Sequence, residues 1–240
     1  MGPGVVVFGV MLVACSAPRN AGTIDVLVND LSSSTVVTAI FLESGSADAG
    51  CQRSTWGACS VAKCVQDVGL RLSPWSAGEI FVAGSLLGGG LSLAPEEVSV
   101  VASAPAWRGP GQLLTVSASG ADVPGFSGHS LASPEALKFT GPVGDISRAA
   151  PLTVTWMPGA ADTDAVVELF DGAVWVSCLA PAGTGELSIP VGATANLPTT
   201  AGRDLVLSLS SRRHTDFVVG DWSVRFSLIE TSAQLASAVR

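Results

Sequence analysis

Apolar and polar residues alternate along much of this chain. Residues 152–156 read LTVTW, with apolar and hydroxyl side chains in strict succession, and residues 204–209 and 223–228 also alternate. Successive side chains of a β-strand point to opposite faces, so this alternation predicts strands that are buried on one side. Further predicted strands lie at residues 24–28, 35–42, 59–65, 79–83, 113–118, 165–170 and 174–179.

Glycine and proline clusters separate these segments, as expected of turns. Asp171-Gly172, between two strand patterns, predicts a β-hairpin. No stretch carries a helical stripe of useful length, and the best helical candidates are residues 134–138 and 233–239. The sequence therefore predicts an all-β, antiparallel β-sandwich of the immunoglobulin-like or jelly-roll-like kind, built as one large or two closely packed sandwiches.

Composition supports a folded body and excludes one class of partner. About half of the 240 residues are hydrophobic, which is ample for a core of this size. Charged residues make up only 13%, and the net charge is -8. Because phosphate binding needs clustered lysine and arginine, and Arg212-Arg213 is the only basic pair, we expect no nucleic-acid partner.

The amino terminus carries an uncharged apolar run, VVVFGVMLVA at residues 5–14. A transmembrane helix needs about 20 apolar residues, so this run is too short to span a bilayer and fits the core of a signal peptide. Leu12-Val13-Ala14-Cys15 has an aliphatic residue first, then a position where several residue types are tolerated, then a small residue and a cysteine. The start at Met1-Gly2-Pro3-Gly4 departs from the usual signal-peptide pattern because it has no lysine or arginine.

This tetrapeptide resembles the bacterial lipobox. The resemblance implies that the thiol of Cys15 receives a diacylglyceryl group, that a peptidase cuts before Cys15, and that the new amine is acylated. Two or three acyl chains anchor a protein far more firmly than one, at about 0.8 kcal/mol per buried methylene. Ser16 follows the cysteine, which by resemblance to known sorting behaviour implies the outer membrane.

These features give an expected organisation of the whole chain. We expect five segments: a signal peptide at 1–14, the lipidated cysteine with a short tether at 15–22, an N-terminal β-sandwich half at 23–147, a C-terminal half at 148–232 and a tail at 233–240. The expected partner is the membrane, bound through lipid on Cys15.

The remaining cysteines form an even set, which in an exported chain predicts two disulfides with three possible connectivities. They are Cys51, Cys59, Cys64 and Cys178. Any complete pairing joins Cys178 to one of the three clustered cysteines and pairs the other two locally. The long bridge should therefore pack the two halves together. The spacings and the two distant histidines, His129 and His214, do not match a zinc site, and we expect no metal.

Two sequence motifs resemble catalytic motifs but lack the secondary structure that those motifs need. Residues 128–132 (GHSLA) resemble the G-x-S-x-G elbow of α/β-hydrolases around Ser130, with Asp171 or Asp204 and then His214 following in order. That elbow needs a strand before the serine and a helix after it. Ser60 and Lys63 match S-x-x-K, which works only on one helical face. We therefore expect no enzyme and no cofactor.

Two binding hypotheses depend on exposure. Asp162 and Asp164 could contribute oxygens to calcium, although six to eight ligands are needed and a solvated turn explains them better. Trp56, Trp75 and Trp107 fall in turn-like contexts and would favour glycan binding if they were exposed on one face. The other tryptophans, Trp156, Trp175 and Trp222, lie in strand patterns typical of a core.

Several segments of the sequence also resemble those of uncharacterised predicted lipoproteins of myxobacterial type. The resemblance covers about residues 50–190 and rests on the cysteine cluster at 51–64, SAGEI at 76–80, residues 111–126, LTVTW at 152–156 and residues 178–190. It implies an envelope location and brings no known activity. We therefore expect a non-catalytic envelope lipoprotein that binds a protein or glycan partner or is structural; the alternatives are a carbohydrate-binding surface module and a secreted hydrolase.

Overall fold

The computed structural model describes residues 20–29, 33–42, 51–64, 75–84, 86–141, 146–170, 173–198 and 205–237. The described chain is almost entirely β-structure, with one short helix, α1 (Val191–Thr194), and a 3-10 turn at Ala182–Thr184. The strands are β1 (Asn20–Asn29), β2 (Ser34–Leu42), β3 (Cys51–Trp56), β4 (Cys59–Cys64), β5 (Ile80–Gly84), β6 (Leu91–Leu93), β7 (Ser99–Ala102), β8 (Leu113–Ala118), β9 (Phe126–Ala132), β10 (Leu152–Thr155), β11 (Asp164–Phe170), β12 (Val174–Pro181), β13 (Glu186–Ile189), β14 (Leu205–Val219) and β15 (Trp222–Ser237).

Nine of these strands form one large sheet, in the order β3-β4-β12-β11-β14-β15-β1-β2-β7. Neighbouring strands are antiparallel except β1 and β15, which run parallel. Two smaller sheets complete the fold, one of four strands in the order β6-β5-β8-β9 and one formed by β10 and β13. The expected all-β, antiparallel sandwich is therefore confirmed.

Both small sheets pack on the same face of the large sheet. The evidence is the long strand β14, where Leu207 and Leu209 enter one core and Phe217 and Val219 pack against the other. All four have odd numbers, and side chains two residues apart on a strand share a face. The fold is thus two sandwiches that share one sheet.

The two cores have different members. The first core lies between the four-stranded sheet and β1, β2 and β15, and its buried residues include Ile24, Val26, Phe41, Ile80, Leu114, Trp107, Phe226 and Leu228. The second core lies between the β10–β13 pair and β4, β12, β11 and β14, and its buried residues include Val61, Val154, Trp156, Val167, Val176, Ile189, Leu207 and Leu209.

Polar contacts separate the two cores. The guanidinium of Arg213 donates to the carbonyl oxygen of Ser133 at 3.3 Å and contacts Asp162 Oδ1 at 2.6 Å. Nearby, the indole nitrogen of the buried Trp107 donates to Glu230 Oε2 at 3.0 Å. Buried polar groups need such partners, because an unpaired one costs about 1–3 kcal/mol. This seam therefore joins the sandwiches through defined hydrogen bonds.

Some sequence expectations need correction or lie beyond the described residues. Residues 233–237, a helical candidate, are the end of β15, and residues 134–138 form no helix. The pairing of Phe170 with Trp175 confirms the predicted hairpin of β11 and β12, although Asp171 and Gly172 themselves lie outside the described residues. Strand β1 begins at Asn20, before the expected start at Ile24. The division at 147/148 stays a prediction. In the large sheet, the strands after it form one block, β12-β11-β14-β15, between β3-β4 on one side and β1-β2-β7 on the other.

Candidate functional site

A disulfide joins Cys59 of β4 to Cys178 of β12. The two residues are direct cross-strand partners, with a sequence separation of 119, and both are buried in the second core. Their bond attaches the β3–β4 hairpin, at one edge of the large sheet, to the neighbouring strand β12. This is the long bridge between Cys178 and the cysteine cluster that any complete pairing required, and it packs distant parts of the chain together as expected.

The other cysteines are described less fully. Cys51 is disulfide-bonded. Its cross-strand partner by backbone register is Cys64, at the open end of the β3–β4 hairpin. Cys15, the predicted lipidation site, lies outside the described residues.

The two catalytic motifs both fall on strands. Residues 128–132 belong to β9, whose Ser130 pairs with Thr115 of β8, so the strand–turn–helix setting of a hydrolase elbow is absent from this segment. His214 projects to the face of the large sheet opposite β9, and Asp171 and Asp204 lie outside the described residues. Ser60 and Lys63 lie on β4, three residues apart and hence on opposite faces.

A different set of residues places serine, histidine and aspartate together. His214 Nδ1 lies 3.6 Å from Asp164 Oδ2, and the cross-strand partner of His214 is Ser227. Burial, with the charges of Arg225 and Arg212, lowers the pKa of His214. However, Ser227 is 0% exposed, so its hydroxyl cannot reach a substrate. The distance from His214 to Asp164 also exceeds that of a hydrogen bond. This set of serine, histidine and aspartate therefore lacks an accessible nucleophile.

The possible calcium ligands are occupied by arginines. Asp164 accepts a hydrogen bond from the buried Arg212 at 2.9 Å, and Asp162 pairs with Arg213 at 2.6 Å. Across the described residues, no group of three or more histidine, cysteine, aspartate or glutamate side chains could hold a metal ion. The carboxylates of the 162–164 turn thus have a structural use, fixing the end of β11 against β14.

The three tryptophans proposed for glycan stacking do not share a surface. Trp107 is buried, at 1% exposure, and Trp75 is half-buried against Trp222, with 5.9 Å between the ring centroids. Trp56 is 43% exposed and packs against Gly192 of α1, beside the second core. The condition set for glycan binding, exposure of the three rings on one face, is therefore not met, because the turn containing Trp107 folds inward to reach Glu230.

Ionisable side chains are also buried on the face of the large sheet opposite the cores. Burial raises the pKa of Asp25 to about 6, against the opposing effects of Ser227, Arg212 and Arg225. Burial raises the pKa of Glu168 to about 7, against hydrogen bonds from Trp175 and Ser177 and the charge of Arg212. The pattern of apolar residues along these strands does not reveal that the face carrying both carboxyls is buried.

Arg225 and Asp216 form a partly exposed pair on the same face. Two hydrogen bonds of 2.7 and 2.9 Å join the guanidinium to the two carboxylate oxygens. These bonds lower the pKa of Asp216 and raise the pKa of Arg225. Such bidentate pairs are the better-defined kind of surface ion pair. The pair fixes β14 to β15 near their connecting turn.

One groove opens at the edge of the first core, and we call it the Trp75 groove. Its walls come from three separate parts of the chain, namely residues 39–41 of β2, residues 75–80 leading into β5 and residues 94–98 after β6. The cavity volume is about 40 Å³. The floor is apolar, with Phe41, Ala77 and Ile80 buried, and Trp75 lies half-buried at one side.

Hydrogen bonds hold the walls of the Trp75 groove in place. Ser76 donates its backbone N–H to Asp122 Oδ2 at 3.0 Å and its hydroxyl to the carbonyl of Pro95 at 3.1 Å. Glu97 Oε2 accepts the backbone N–H of Ala94 at 3.0 Å. The exposed side chains of Glu96 and Glu97 lie at the rim. None of the described residues that line the groove is basic.

Comparison with known proteins adds little to these observations. No family model and no curated protein matches the chain. One similar solved structure is the FN1–FN3 domains of chicken CNTN1, at 10% identity and a TM-score of 0.25, over 79% of this chain and 66% of that one. Another is a 1.5-MDa bacterial ice-binding adhesin, studied for its retention at the host cell surface. It shows 15% identity and a TM-score of 0.23, over 92% of this chain and 65% of that one.

The chain thus spans slightly less than two thirds of the length of either structure. At these TM-scores neither likeness carries an argument about this protein. Separately, the described part of the chain contains no helix that is both long and apolar enough to cross a membrane.

Proposed function

We propose that this protein is an exported bacterial envelope lipoprotein, held to the outer membrane by lipid on Cys15, with a non-catalytic binding or structural role. The observation that carries the proposal is the buried disulfide between Cys59 and Cys178. Structural disulfides form and persist in oxidising compartments outside the cytoplasm. A bond inside the second core is part of the folded structure, so folding of this body is best suited to such a compartment.

The pattern of cysteine pairing supports the lipid site. Cys59 and Cys178 are bonded to each other, and Cys51 is disulfide-bonded and stands opposite Cys64 in the hairpin. We assign the second bridge to Cys51 and Cys64 on this register. The five cysteines of the chain then divide into two pairs and one remaining thiol, Cys15, at the lipobox-like sequence.

The position of β1 keeps the body close to the proposed anchor. Four residues separate Cys15 from Asn20, the first residue of β1. Five Cα–Cα steps reach at most about 18 Å when fully extended. The sandwich would therefore lie against the membrane surface, and a partner would meet it there.

A non-catalytic role agrees with the arrangement of the reactive side chains. Among the described residues, the one Asp–His–Ser grouping has a fully buried serine, and the carboxylates of the 162–164 turn pair with Arg212 and Arg213. The Trp75 groove is open to the surface. Its described lining has carboxylates at the rim and no nucleophile with an adjacent base. Its character is that of a binding site.

The lipid anchor is tested by metabolic labelling. Cells that express the full chain are grown with radiolabelled palmitate, and the protein is then isolated from membrane fractions. We expect label in the wild type and in Ser16→Ala, the matched control, and no label in Cys15→Ala. Label on Cys15→Ala, or none on the wild type when the protein is exported and folded, would refute the anchor.

A further inference from the structure

We propose that the Trp75 groove binds a basic side chain of a partner protein, an arginine or lysine whose charged end lies over the Trp75 ring beside the carboxylates of Glu96 and Glu97. This inference deepens the binding role proposed above by naming the chemistry of the partner. It does not depend on the lipid anchor.

The size of the groove selects a side chain over a larger ligand. A cavity of about 40 Å³ has room for a few water molecules or the end of one long side chain. Sites for drug-sized molecules are typically about 300–1,000 Å³. A sugar ring could therefore rest only on the rim, whereas an ammonium or guanidinium group can enter.

Charge and aromatic character agree on a cation. The described residues that line the groove include the carboxylates of Glu96 and Glu97 and no lysine, arginine or histidine. The whole chain carries a net charge of -8, so the surrounding field also favours a basic partner. The half-buried Trp75 lines the same groove, and tryptophan is the aromatic residue that attracts cations most strongly.

The groove is also prepared in advance for binding. The hydrogen bonds from Ser76 to Asp122 and Pro95, and from Ala94 to Glu97, fix the two loops that form its walls. Trp75 is supported from behind by Trp222, and Trp222 makes an edge contact with Phe41 at 5.9 Å. A preformed site loses little conformational entropy when it is filled, so a small groove can contribute measurable affinity.

The test uses the full, disulfide-bonded protein with ¹⁵N-labelled tryptophan, whose Trp75 indole signal is assigned by Trp75→Phe. The probe is the peptide Ac-Gly-Arg-Gly-Arg-Gly-NH₂, and its control carries citrulline, the uncharged analogue, in place of arginine. We expect the arginine peptide to shift the Trp75 signal saturably, with affinity that falls as salt is raised. The citrulline peptide should leave the signal in place.

The carboxylates are tested by the double variant Glu96→Gln/Glu97→Gln, which keeps an oxygen to accept the Ala94 N–H. We expect about fivefold weaker binding of the arginine peptide, as fits two surface ion pairs. The matched control Glu186→Gln, which changes an exposed carboxyl on β13, should bind like the wild type. If the double variant does not fold, the exposed Glu96→Gln alone should weaken binding in the same direction.

Four outcomes would overturn the proposal: no shift with either peptide or with cellohexaose, equal shifts with both peptides, unchanged affinity in the glutamine variants, or a shift of Trp75 with cellohexaose but not with the arginine peptide. The last result would identify a glycan site instead. Each of these outcomes is independent of palmitate labelling, so failure of the groove and failure of the anchor can be told apart.

Discussion

Asp25 and Glu168 are two carboxyl groups buried on the face of the large sheet opposite the cores, at 7% and 5% exposure. Arg212 lies on the same face at 2% exposure, with one ion pair to Asp164. Its Nε and Nη1 find no hydrogen-bond partner among the residues that the structure describes. Charges buried with incomplete partners reduce stability, so this face should be sensitive to protonation.

The first prediction concerns Asp25 and pH. Burial raises its pKa from 3.8 to about 6, so folding favours the protonated carboxyl. Its contribution to stability is full below pH 3.8 and is lost as the pH rises to about 6. Near pH 7.5, Asp25→Asn should therefore raise the free energy of unfolding by up to about 3 kcal/mol, and near pH 4 it should change little.

Urea unfolding at the two pH values measures this difference. Glu186→Gln, which removes an exposed carboxyl, is the control and should show no such dependence. An Asp25→Asn variant whose stability relative to wild type is the same at both pH values would contradict the prediction. Glu168→Gln should behave like Asp25→Asn, with the loss extending to about pH 7 because its pKa is raised that far.

The Cys59–Cys178 disulfide and the bridge proposed for Cys51 and Cys64 act at the scale of elements, because each joins strands. Cys59–Cys178 closes a loop with a sequence separation of 119, whereas Cys51 and Cys64 stand 13 residues apart within one hairpin. In the chain-entropy model the cost of closing a loop grows with its length, from about 3 kcal/mol for the short loop to about 5 kcal/mol for the long one.

We therefore expect unequal losses when the bridges are removed. Cys59→Ala/Cys178→Ala should lower the free energy of unfolding by about 4–5 kcal/mol, and Cys51→Ser/Cys64→Ser by about 3 kcal/mol or less. Alanine suits the first pair, because a hydroxyl would be buried in the second core. Urea unfolding of the oxidised proteins measures both values. A smaller loss for the long bridge than for the short one would contradict this assignment of their roles.

Strand prediction from the sequence succeeds where one face is apolar and fails elsewhere. The alternation at residues 204–209 and 223–228 predicts short strands, but β14 and β15 extend to 15 and 16 residues. The extension of β14 runs through Arg213, whose guanidinium contacts Ser133 and Asp162 at the seam between the cores. Polar residues there pair across strands only because the tertiary structure supplies Ser133, Asp162 and β15 as partners. Local pattern cannot reveal such partners.

The candidate sites show the same limit. The count and spacing of the cysteines required a bridge from Cys178 to the cluster, and the structure selects Cys59 because β4 lies next to β12. The Trp75 groove could not be predicted, since its walls lie far apart in the sequence and meet only through the packing of the sheets. Similarly, the turn context of Trp107 suggested exposure, but its indole N–H reaches the distant Glu230.

At the scale of the whole molecule, the shared sheet couples the two sandwiches. Strands β14 and β15 pass from one core to the other, and their pairing breaks register only between Leu209 and Ser210. Neither core can lose its strands of the large sheet without exposing the other. We therefore expect the two sandwiches to unfold as one cooperative unit.

Leu114→Ala tests this coupling. Leu114 is fully buried in the first core, so the substitution should cost about 2–5 kcal/mol. Because the cores share β14 and β15, the loss should appear equally in urea transitions followed at the indole signals of Trp107, in the first core, and Trp156, in the second. Val154→Ala is the reciprocal control from the second core. Separate midpoints for the two signals would show that the sandwiches unfold independently.

The placement of β1 has a mechanical consequence. This strand lies between β15 and β2, and all ten of its residues are in register with β15. Under the proposed lipid anchor, a pull from the membrane on the amino end of β1 would run along the strand axis. Such a load shears both hydrogen-bond ladders at once and does not peel them apart one bond at a time. The body would therefore resist being torn from its tether by flow or by movement of the envelope.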